Sequence, residues 1–312
     1  MGSGCGMRNG LRHLIFVLVP VVAAFAVLPW VYSNHLLLFN FVVYLVLAQG
    51  INVIYGFTGY LPFGYVGFFG AGAYGFSLLV LHMHAPPLLA LVAGALAALI
   101  LGIILTPLLR LEGAYFAIAT LAASEVVAQI ISNPNLTNVT QGPYGIRLSG
   151  VYAPRFAYSV AVAILALTLL IVVYLRNSRF GLALQAIREN PVSASMAGVD
   201  VVRGRTIAWL LSALIAGLIG AVYAWYISVF YPETVFDLGM SIFAIVFALF
   251  GGTATIVGPI SGVAILYGIY NGIGIATPQY FQLIYGTLIM ALVLFLPNGL
   301  LPLLKRWGIN VP

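Results

Sequence analysis

Residues 36–82 read LLLFNFVVYLVLAQGINVIYGFTGYLPFGYVGFFGAGAYGFSLLVLH and contain no Asp, Glu, Lys or Arg. They lie within a longer charge-free run from His13 to Leu109. One membrane-spanning helix needs about 20 apolar residues, so this run has room for about four of them. Its continuous apolar character disfavours a β-barrel, whose strands alternate between apolar and polar residues. The stretch therefore predicts an all-α polytopic membrane protein.

The composition of the 312-residue chain agrees with this class. Hydrophobic residues make up 63% and charged residues 6%, against about 25% charged in a soluble domain. The mean hydropathy is +1.12. We predict one transmembrane domain over residues 1–312 with about ten helices, or about eight if some segments only re-enter the membrane. The predicted spans are 13–31, 36–55, 65–82, 87–109, 113–132, 156–175, 206–229, 239–252, 259–276 and 279–297.

The basic residues predict which side of the membrane each loop faces, because short positive loops stay in the cytoplasm. With ten spans and a cytoplasmic start, every basic residue except Arg147 and Arg155 falls inside or at an inner span end. The external loop is then 133–155, and the largest cytoplasmic loop is 176–205. We therefore predict a multi-pass protein of the cytoplasmic (inner) membrane with both termini in the cytoplasm.

Two segments rich in Gly and Pro interrupt the apolar runs: GFTGYLPFG at 56–64 and GGTATIVGP at 251–259. Broken backbone at membrane depth persists only where protein or a water-filled cavity satisfies it. Paired interruptions in the two halves of a transporter indicate a substrate path, although both could be tight turns between helices. The candidate path residues at the first interruption are Gln49, Asn52, Gly59 and Tyr60.

A carboxylate lies within the fifth predicted span. Charged residues inside a membrane span are costly and are therefore candidates for function. Glu125 follows Ser124, and Gln129 lies one turn further on the same helix face. With Thr120 they form a polar stripe that could face a substrate path or could hold the helix against a neighbouring span.

The loop RNSRFGLALQAIRENPVSASMAGVDVVRGR, residues 176–205, is predicted to form a pair of short helices. Asn190 and Pro191 are typical of a helix start, as N-cap and first helical residue. Gly198 is predicted to end the second helix, and Asp200 to cap the next span. A short helix pair with small residues on its surface suits a groove on a partner protein, although an ordinary loop is the alternative.

Motifs for catalysis and metal binding are missing from the sequence. A P-loop needs a Lys to reach the phosphates, and the one Lys, Lys305, lies outside any Gly-rich segment. His82 and His84 lack a nearby third ligand and suit the membrane interface better than a metal site. We therefore expect no catalytic residue, no metal and no cofactor on this chain.

Five segments together resemble one family, the branched-chain amino-acid ABC transporter permeases, and above all their M-type (LivM-like) subunit. They are GINVIYGFTGYLPFGYVGFFGAGAY (50–74), LRLEGAYFAIATLAASEVV (109–127), QGPYGI (141–146), SRFGLALQAIREN (178–190) with Gly198 following, and YPETVFDLGMSIFAIVFALFGGTATIVGPISG (231–262). The likeness covers about two thirds of the chain. The sequence departs from the family pattern at Leu182, where a basic residue is common, at Pro191, which replaces an acidic one, and in GGTAT, where GGxGT is usual.

The resemblance implies the role and the partners of the chain. Such a permease would pair with a homologous second permease, two cytoplasmic ATPase subunits that bind ATP, and an extracytoplasmic solute-binding protein. The segment 182–198 would dock on an ATPase subunit. The ATPase-coupling residues on the motif would be Gly181, Ala186, Arg188, Glu189, Asn190 and Gly198.

Two alternatives stay open at this point. Relatives of the family also take up urea and short amides, so the substrate class is not decided by the sequence. An ion-coupled secondary transporter would need an intramembrane acid, and Glu125 is nearly the only candidate for it.

Overall fold

The computed structural model describes residues 19–276 and the isolated positions 286, 287 and 290. In chain order the helices are α1 (Val19–Val31), α2 (His35–Ile51), α3 (Val66–Met83), α4 (Pro87–Ile104), α5 (Gly113–Ile131), α6 (Thr137–Thr140), α7 (Pro154–Asn177), α8 (Arg179–Glu189), α9 (Pro191–Met196), α10 (Val201–Ile227), α11 (Pro232–Val235), α12 (Leu238–Gly251) and α13 (Val257–Ala276). A π-helical turn, Asn52–Gly56, continues α2. Strands β1 (Ile146–Arg147) and β2 (Val229–Phe230) pair antiparallel, with Ile146 opposite Phe230.

The predicted all-α polytopic class is confirmed. Within residues 19–276 a helix covers each predicted span, the first of them from Val19 onward. Of the described helical segments, 7 are long and apolar enough to cross a membrane, and α1 is a shorter apolar helix. The predicted count of about ten is therefore approximate. Apart from the isolated positions 286, 287 and 290, the predicted span 279–297 lies outside the described residues, as does the basic pair Lys305–Arg306.

Close helix packing holds the middle of the bundle together. Helices α3, α4 and α10 pack against one another. Gly72 of α3 faces the backbone carbonyl of Gly217 on α10, and a Cβ at Gly72 would overlap that oxygen. Small residues let membrane helices approach closely. Their association depends on this van der Waals packing because lipid offers no hydrophobic driving force between them.

Helix α2 is enclosed on most sides and leads into the first interruption. It packs against α7, α10, α12 and α13. Phe39 of α2 stacks on Tyr226 of α10, with ring centroids 3.8 Å apart. The described part of the chain thus places the π turn after α2 deep within the protein.

The loops gather at two ends of the bundle. At one end, which we call the basic end, α8 and α9 lie against the segment after α2, and Arg205 lies near Glu112. At the opposite end β1 of loop 133–155 pairs with β2 after α10, and His82 shares a 3.0 Å hydrogen bond with the carbonyl of Val139. The His82 contact agrees with an interfacial role. Groups of three or more possible metal ligands are missing from the described residues.

Candidate functional site

The two Gly/Pro-rich interruptions meet inside the protein through two amide side chains of α2 and its π turn. Asn52 accepts a hydrogen bond from the backbone N–H of Ala254 (2.7 Å) and donates one to the carbonyl of Thr255 (2.8 Å). Gln49 donates to the carbonyl of Ile256 (2.8 Å). Both side chains are fully buried. They supply the partners that broken backbone needs at membrane depth.

The turn between α12 and α13 is held in an unusual backbone conformation. Ala254 has φ +62° and Gly252 has φ +109°. Thr255 closes the turn, because its hydroxyl donates to the carbonyl of Gly252 and accepts from the N–H of Gly258. Ala254 is the position at which the sequence departs from GGxGT, so an alanine occupies a left-handed conformation that glycine adopts more readily.

A surface helix is joined to the first interruption by one side chain. The guanidinium of Arg188, on α8, donates to the backbone carbonyl of Gly56 at 2.6 Å. Gly56 is the last residue of the π turn, where carbonyls lack a partner within the helix. The same arginine lies 5.9 Å from the ring centroid of Tyr55. Movement of α8 would therefore act directly on the end of α2.

The pair of short helices predicted over 176–205 is present, with the predicted ends. Asn190 caps α9 by accepting from Ser193 N–H (3.0 Å), with Pro191 as the first helical residue. Gly198 follows the end of α9 with φ +84°, and Asp200 caps α10 by accepting from Arg203 N–H. Local rules of helix capping thus set the shape of this segment.

The outer surface of the helix pair carries both apolar and polar side chains. On α8 the buried positions are Gly181, Leu184 and Ile187, whereas Leu182 is 61% exposed and Met196 of α9 is 85% exposed. Ala186, Glu189 and Asn190 are exposed as well. Gly181 lies against the end of α7, and a Cβ there would overlap the carbonyl of Leu175.

A cleft of about 440 Å³ opens at the basic end, between the first interruption, the start of α5, and α8. Tyr60 and Gly59, both predicted path residues, line it. The Arg205 guanidinium lies 4.6 Å from the ring centroid of Tyr60, and its Nη1 is 3.9 Å from Oε1 of Glu112. Burial raises the pKa of the Tyr60 hydroxyl against the opposing effect of Arg205, so the phenol stays protonated. We call this the basic-end cleft.

The predicted polar stripe on α5 divides into two faces. Thr120 and Ser124 are buried. The Thr120 hydroxyl accepts a 3.4 Å hydrogen bond from the N–H of Gly64, just before α3, and Ser124 lies beside Gly67 of α3. Glu125 and Gln129 face away from the other helices and are exposed, and Gln129 donates to Glu125 at 2.8 Å. The structural alternative expected Glu125 to be held against another span. Within the described residues it is not. The substrate-path role of these residues stays a prediction.

A second cleft, of about 410 Å³, lies at the opposite end and was missed from the sequence. Its walls carry the acids Glu233 and Asp237, the amides Asn40 and Asn271, and the phenols Tyr44, Tyr223, Tyr267 and Tyr270, together with Thr234 and Met240. Spacing along two helices could have indicated it, because Asn40 and Tyr44 are four residues apart, as are Tyr267 and Asn271.

The family model described as branched-chain amino acid transport system, permease component, matches residues 35–293. The chain belongs to this family. The LivM permease proteins of Salmonella typhimurium and Escherichia coli are each 30% identical over 84% of this chain and 68% of their own length. The probable LivH permease protein of Methanocaldococcus jannaschii is 28% identical over 86% of this chain and 89% of its own. No solved structure matches the chain. This permease is thus a multi-pass membrane protein with relatives of both the LivM and the LivH type.

Proposed function

We propose that this permease is the membrane-spanning subunit of an ABC importer for branched-chain amino acids, with ATP hydrolysed on partner subunits. The observation that carries the proposal is the hydrogen bond from Arg188, on the exposed helix α8, to Gly56 at the interrupted end of α2. It gives a protein docked on α8 a direct mechanical connection to the interior of the bundle. Such a connection is what a transporter with a separate motor requires.

The orientation follows from charge. Loop 176–205 carries Arg176, Arg179, Arg188, Arg203 and Arg205, and positive loops of this length stay in the cytoplasm. The basic end is then cytoplasmic and the end with loop 133–155 faces outward. Both termini lie in the cytoplasm of an inner-membrane protein.

The partners follow from the surfaces that the chain leaves uncovered and from its relatives. The apolar surface around Leu182 and Met196 receives one of two cytoplasmic ATPase subunits, since a short helix with an apolar face suits a groove. The exposed Glu125–Gln129 pair of α5 faces a homologous second permease, away from lipid. An extracytoplasmic solute-binding protein delivers the substrate to the opposite end. The chain itself performs no catalysis.

The mechanism uses the bonds that join the two interruptions. ATP binding draws the ATPase subunits together and displaces α8. Arg188 passes this displacement to Gly56, and Asn52 passes it to the turn at Ala254. Both interruptions therefore move as one unit, and the bundle alternates between outward-open and inward-open states.

Reconstitution tests the proposal. The permease is co-expressed with the ATPase subunits, the second permease and the binding protein, and the purified complex is placed in liposomes. We expect leucine, isoleucine or valine bound to the binding protein to stimulate ATP hydrolysis and uptake. Stimulation by urea or acetamide alone would assign the chain to the amide-transporting relatives. Uptake by the chain alone, driven by an ion gradient and abolished by an ionophore, would overturn the proposal.

A further inference from the structure

The cleft of about 410 Å³ at the end opposite the basic end carries negative charge, and we call it the acidic cleft. Glu233 and Asp237 lie on its wall and are both exposed, so a molecule in the cleft can reach either carboxylate. The described residues that line the cleft include no Lys, Arg or His. Neither carboxylate forms an ion pair with another described residue. The described chain thus leaves the charge of both acids unbalanced.

Asp237 is held in place by the start of α12. It is the N-cap of that helix, and its Oδ1 accepts a 2.9 Å hydrogen bond from the N–H of Gly239. An ionised carboxylate has about four acceptor positions, so most of them remain for a ligand. The charge of Asp237 also acts on the phenols of Tyr44, Tyr223 and Tyr270. A fixed negative charge therefore lies close to three aromatic side chains.

Aromatic rings from two helices form a continuous part of the wall. Tyr44 of α2 and Tyr267 of α13 have ring centroids 5.4 Å apart. Tyr270 stacks on Tyr267, with 6.0 Å between centroids and 10° between the ring planes. Aromatic faces attract cations, and the amides of Asn40 and Asn271 add hydrogen-bond acceptors to the same cleft. The wall thus favours a positively charged ligand, as the carboxylates do.

Two phenol hydroxyls of the cleft also lack a partner. Tyr44 and Tyr223 are mostly buried and line the cleft, and neither hydroxyl makes a hydrogen bond to another described residue. Unlike the enclosed hydroxyl of Tyr74, both keep accessible surface, so a donor in the cleft can reach them. Because polar groups inside proteins are normally paired, these two hydroxyls indicate a ligand that donates hydrogen bonds.

The volume and the charge of the cleft select the class of ligand. The volume lies within the range of small-molecule sites, about 300–1,000 Å³. A divalent metal ion would need about six oxygen ligands around one point, and groups of three or more possible metal ligands are missing from the described residues. An amino acid would place its own carboxylate beside Glu233 and Asp237, where the described wall offers no cation. An organic cation without a carboxylate fits best.

We propose that the acidic cleft binds a small organic cation without a carboxylate, an aliphatic guanidinium or primary ammonium compound. Glu233 and Asp237 accept hydrogen bonds from its charged groups, and the rings of Tyr44 and Tyr267 pack against its aliphatic chain. The bound cation bridges α2 and α12, the two helices that lead into the interruptions. It is not the transported substrate, so this inference goes beyond the proposed function and does not depend on it.

The test measures binding of radiolabelled agmatine to the full-length permease in lipid nanodiscs, together with the subunits that co-purify with it. Agmatine carries a guanidinium and an ammonium group at the two ends of an aliphatic chain. In n-butylguanidine the ammonium group is missing, and in 4-guanidinobutanoate a carboxylate ends the chain. We expect saturable agmatine binding, with competition weakening about tenfold at each step of this series. The series is measured on the unaltered chain, so it does not depend on the folding of a variant.

Substitutions then place the binding in the acidic cleft. Asp237→Asn keeps an oxygen that can accept from the N–H of Gly239, so the cap of α12 is retained. We expect it to weaken agmatine binding about tenfold, as we expect of Glu233→Gln, and Tyr44→Phe to weaken it about threefold. The matched control is Asp200→Asn, because Asp200 is also a helix N-cap but lies at the basic end. Agmatine binding should be normal in the control.

The same charged group could arrive as the side chain of a protein docked on this end. N-acetylarginine amide presents an arginine side chain without a carboxylate and is compared with n-butylguanidine, which has the same charge. Equal competition would show that the cleft also accepts a side chain in peptide form. Much weaker competition would restrict the cleft to free cations. Either result agrees with the ligand class that we propose and decides the form in which the cleft takes it.

The outcomes separate this inference from the proposed function. Absence of saturable agmatine binding overturns the inference, and so does binding of 4-guanidinobutanoate as tight as that of agmatine. Binding unchanged by both Asp237→Asn and Glu233→Gln would place the cation elsewhere and would overturn it as well. None of these measurements involves transport. Failure of leucine uptake would count against the proposed function and would leave agmatine binding unaffected.

Discussion

The guanidinium of Arg188 lies 2.6 Å from the backbone carbonyl oxygen of Gly56, joining a helix on the surface to the interrupted end of a buried one. Asn52, four residues before Gly56, binds the backbone at Ala254 and Thr255. Hydrogen bonds therefore link the surface helix α8 to the first interruption, and the π turn of that interruption to the second. This linkage is the physical basis of the coupling that we propose.

Replacing Arg188 with Ala is expected to uncouple ATP hydrolysis from transport, because the bond to Gly56 is lost while the surface of α8 is kept. Leucine uptake per ATP hydrolysed should fall about tenfold or more, with normal membrane insertion. Glu189→Ala is expected to act in the same direction. Arg155→Ala, an exposed arginine at the start of α7, serves as the control for loss of charge. Unchanged coupling in Arg188→Ala and Glu189→Ala would rule out the coupling role.

Replacing Asn52 with Ala is expected to destabilise the chain by about 1–3 kcal/mol, because the partly buried N–H of Ala254 and carbonyl of Thr255 lose their partner. Thermal unfolding in detergent, followed by fluorescence, measures the change. Asn177→Ala is the control, since among the described residues the Asn177 amide bonds the carbonyl of Val173 within its own helix. Equal effects of the two substitutions would show that the bonds between the interruptions add no particular stability.

Replacing Ala254 with Gly is expected to stabilise the chain by up to about 1 kcal/mol. A left-handed residue other than glycine carries a strain of about 1–2 kcal/mol, part of which is offset by the greater freedom of glycine in the unfolded chain. The control is Ala248→Gly, because Ala248 is buried within the regular helix α12. We expect Ala254→Gly to raise the melting temperature and Ala248→Gly to lower it. A lower melting temperature for Ala254→Gly would show that φ +62° costs nothing here.

Replacing Gly181 with Ala is expected to displace the start of α8, because the new Cβ would overlap the carbonyl of Leu175. Co-purification of the ATPase subunits with the permease should fall, as should the melting temperature. Gly150→Ala is the matched control, since within the described part of the chain nothing beyond the adjacent residues lies within 4 Å of a Cβ at that position. Normal recovery of the ATPase subunits with Gly181→Ala would argue against docking on α8.

Replacing Glu125 with Gln is expected to lower transport while leaving the thermal stability of the isolated chain unchanged. Among the described residues the carboxylate is exposed and bonds Gln129 on its own helix, so its loss removes nothing from the interior that they form. Uptake in liposomes and cross-linking to the second permease measure the effect. Normal transport together with a lower melting temperature would instead assign Glu125 a structural role.

The sequence by itself determined the class of the protein and its local structure. Charge-free apolar runs longer than a bilayer is thick permit helices and little else. The interruptions near Gly59 and Gly252, and the caps at Asn190 and Asp200, were predictable because they depend on residues only a few positions apart.

Only the tertiary structure decided which groups meet. Asn52 and Ala254 are separated by 202 positions, and no local pattern pairs them. Nor did periodicity indicate that Glu125 faces outward while Ser124 is buried, or that Arg205 lies over Tyr60. The reason is that a membrane helix is apolar on the faces that meet lipid and on those that meet protein. Hydrophobic patterning therefore located the helices, and packing alone chose their neighbours.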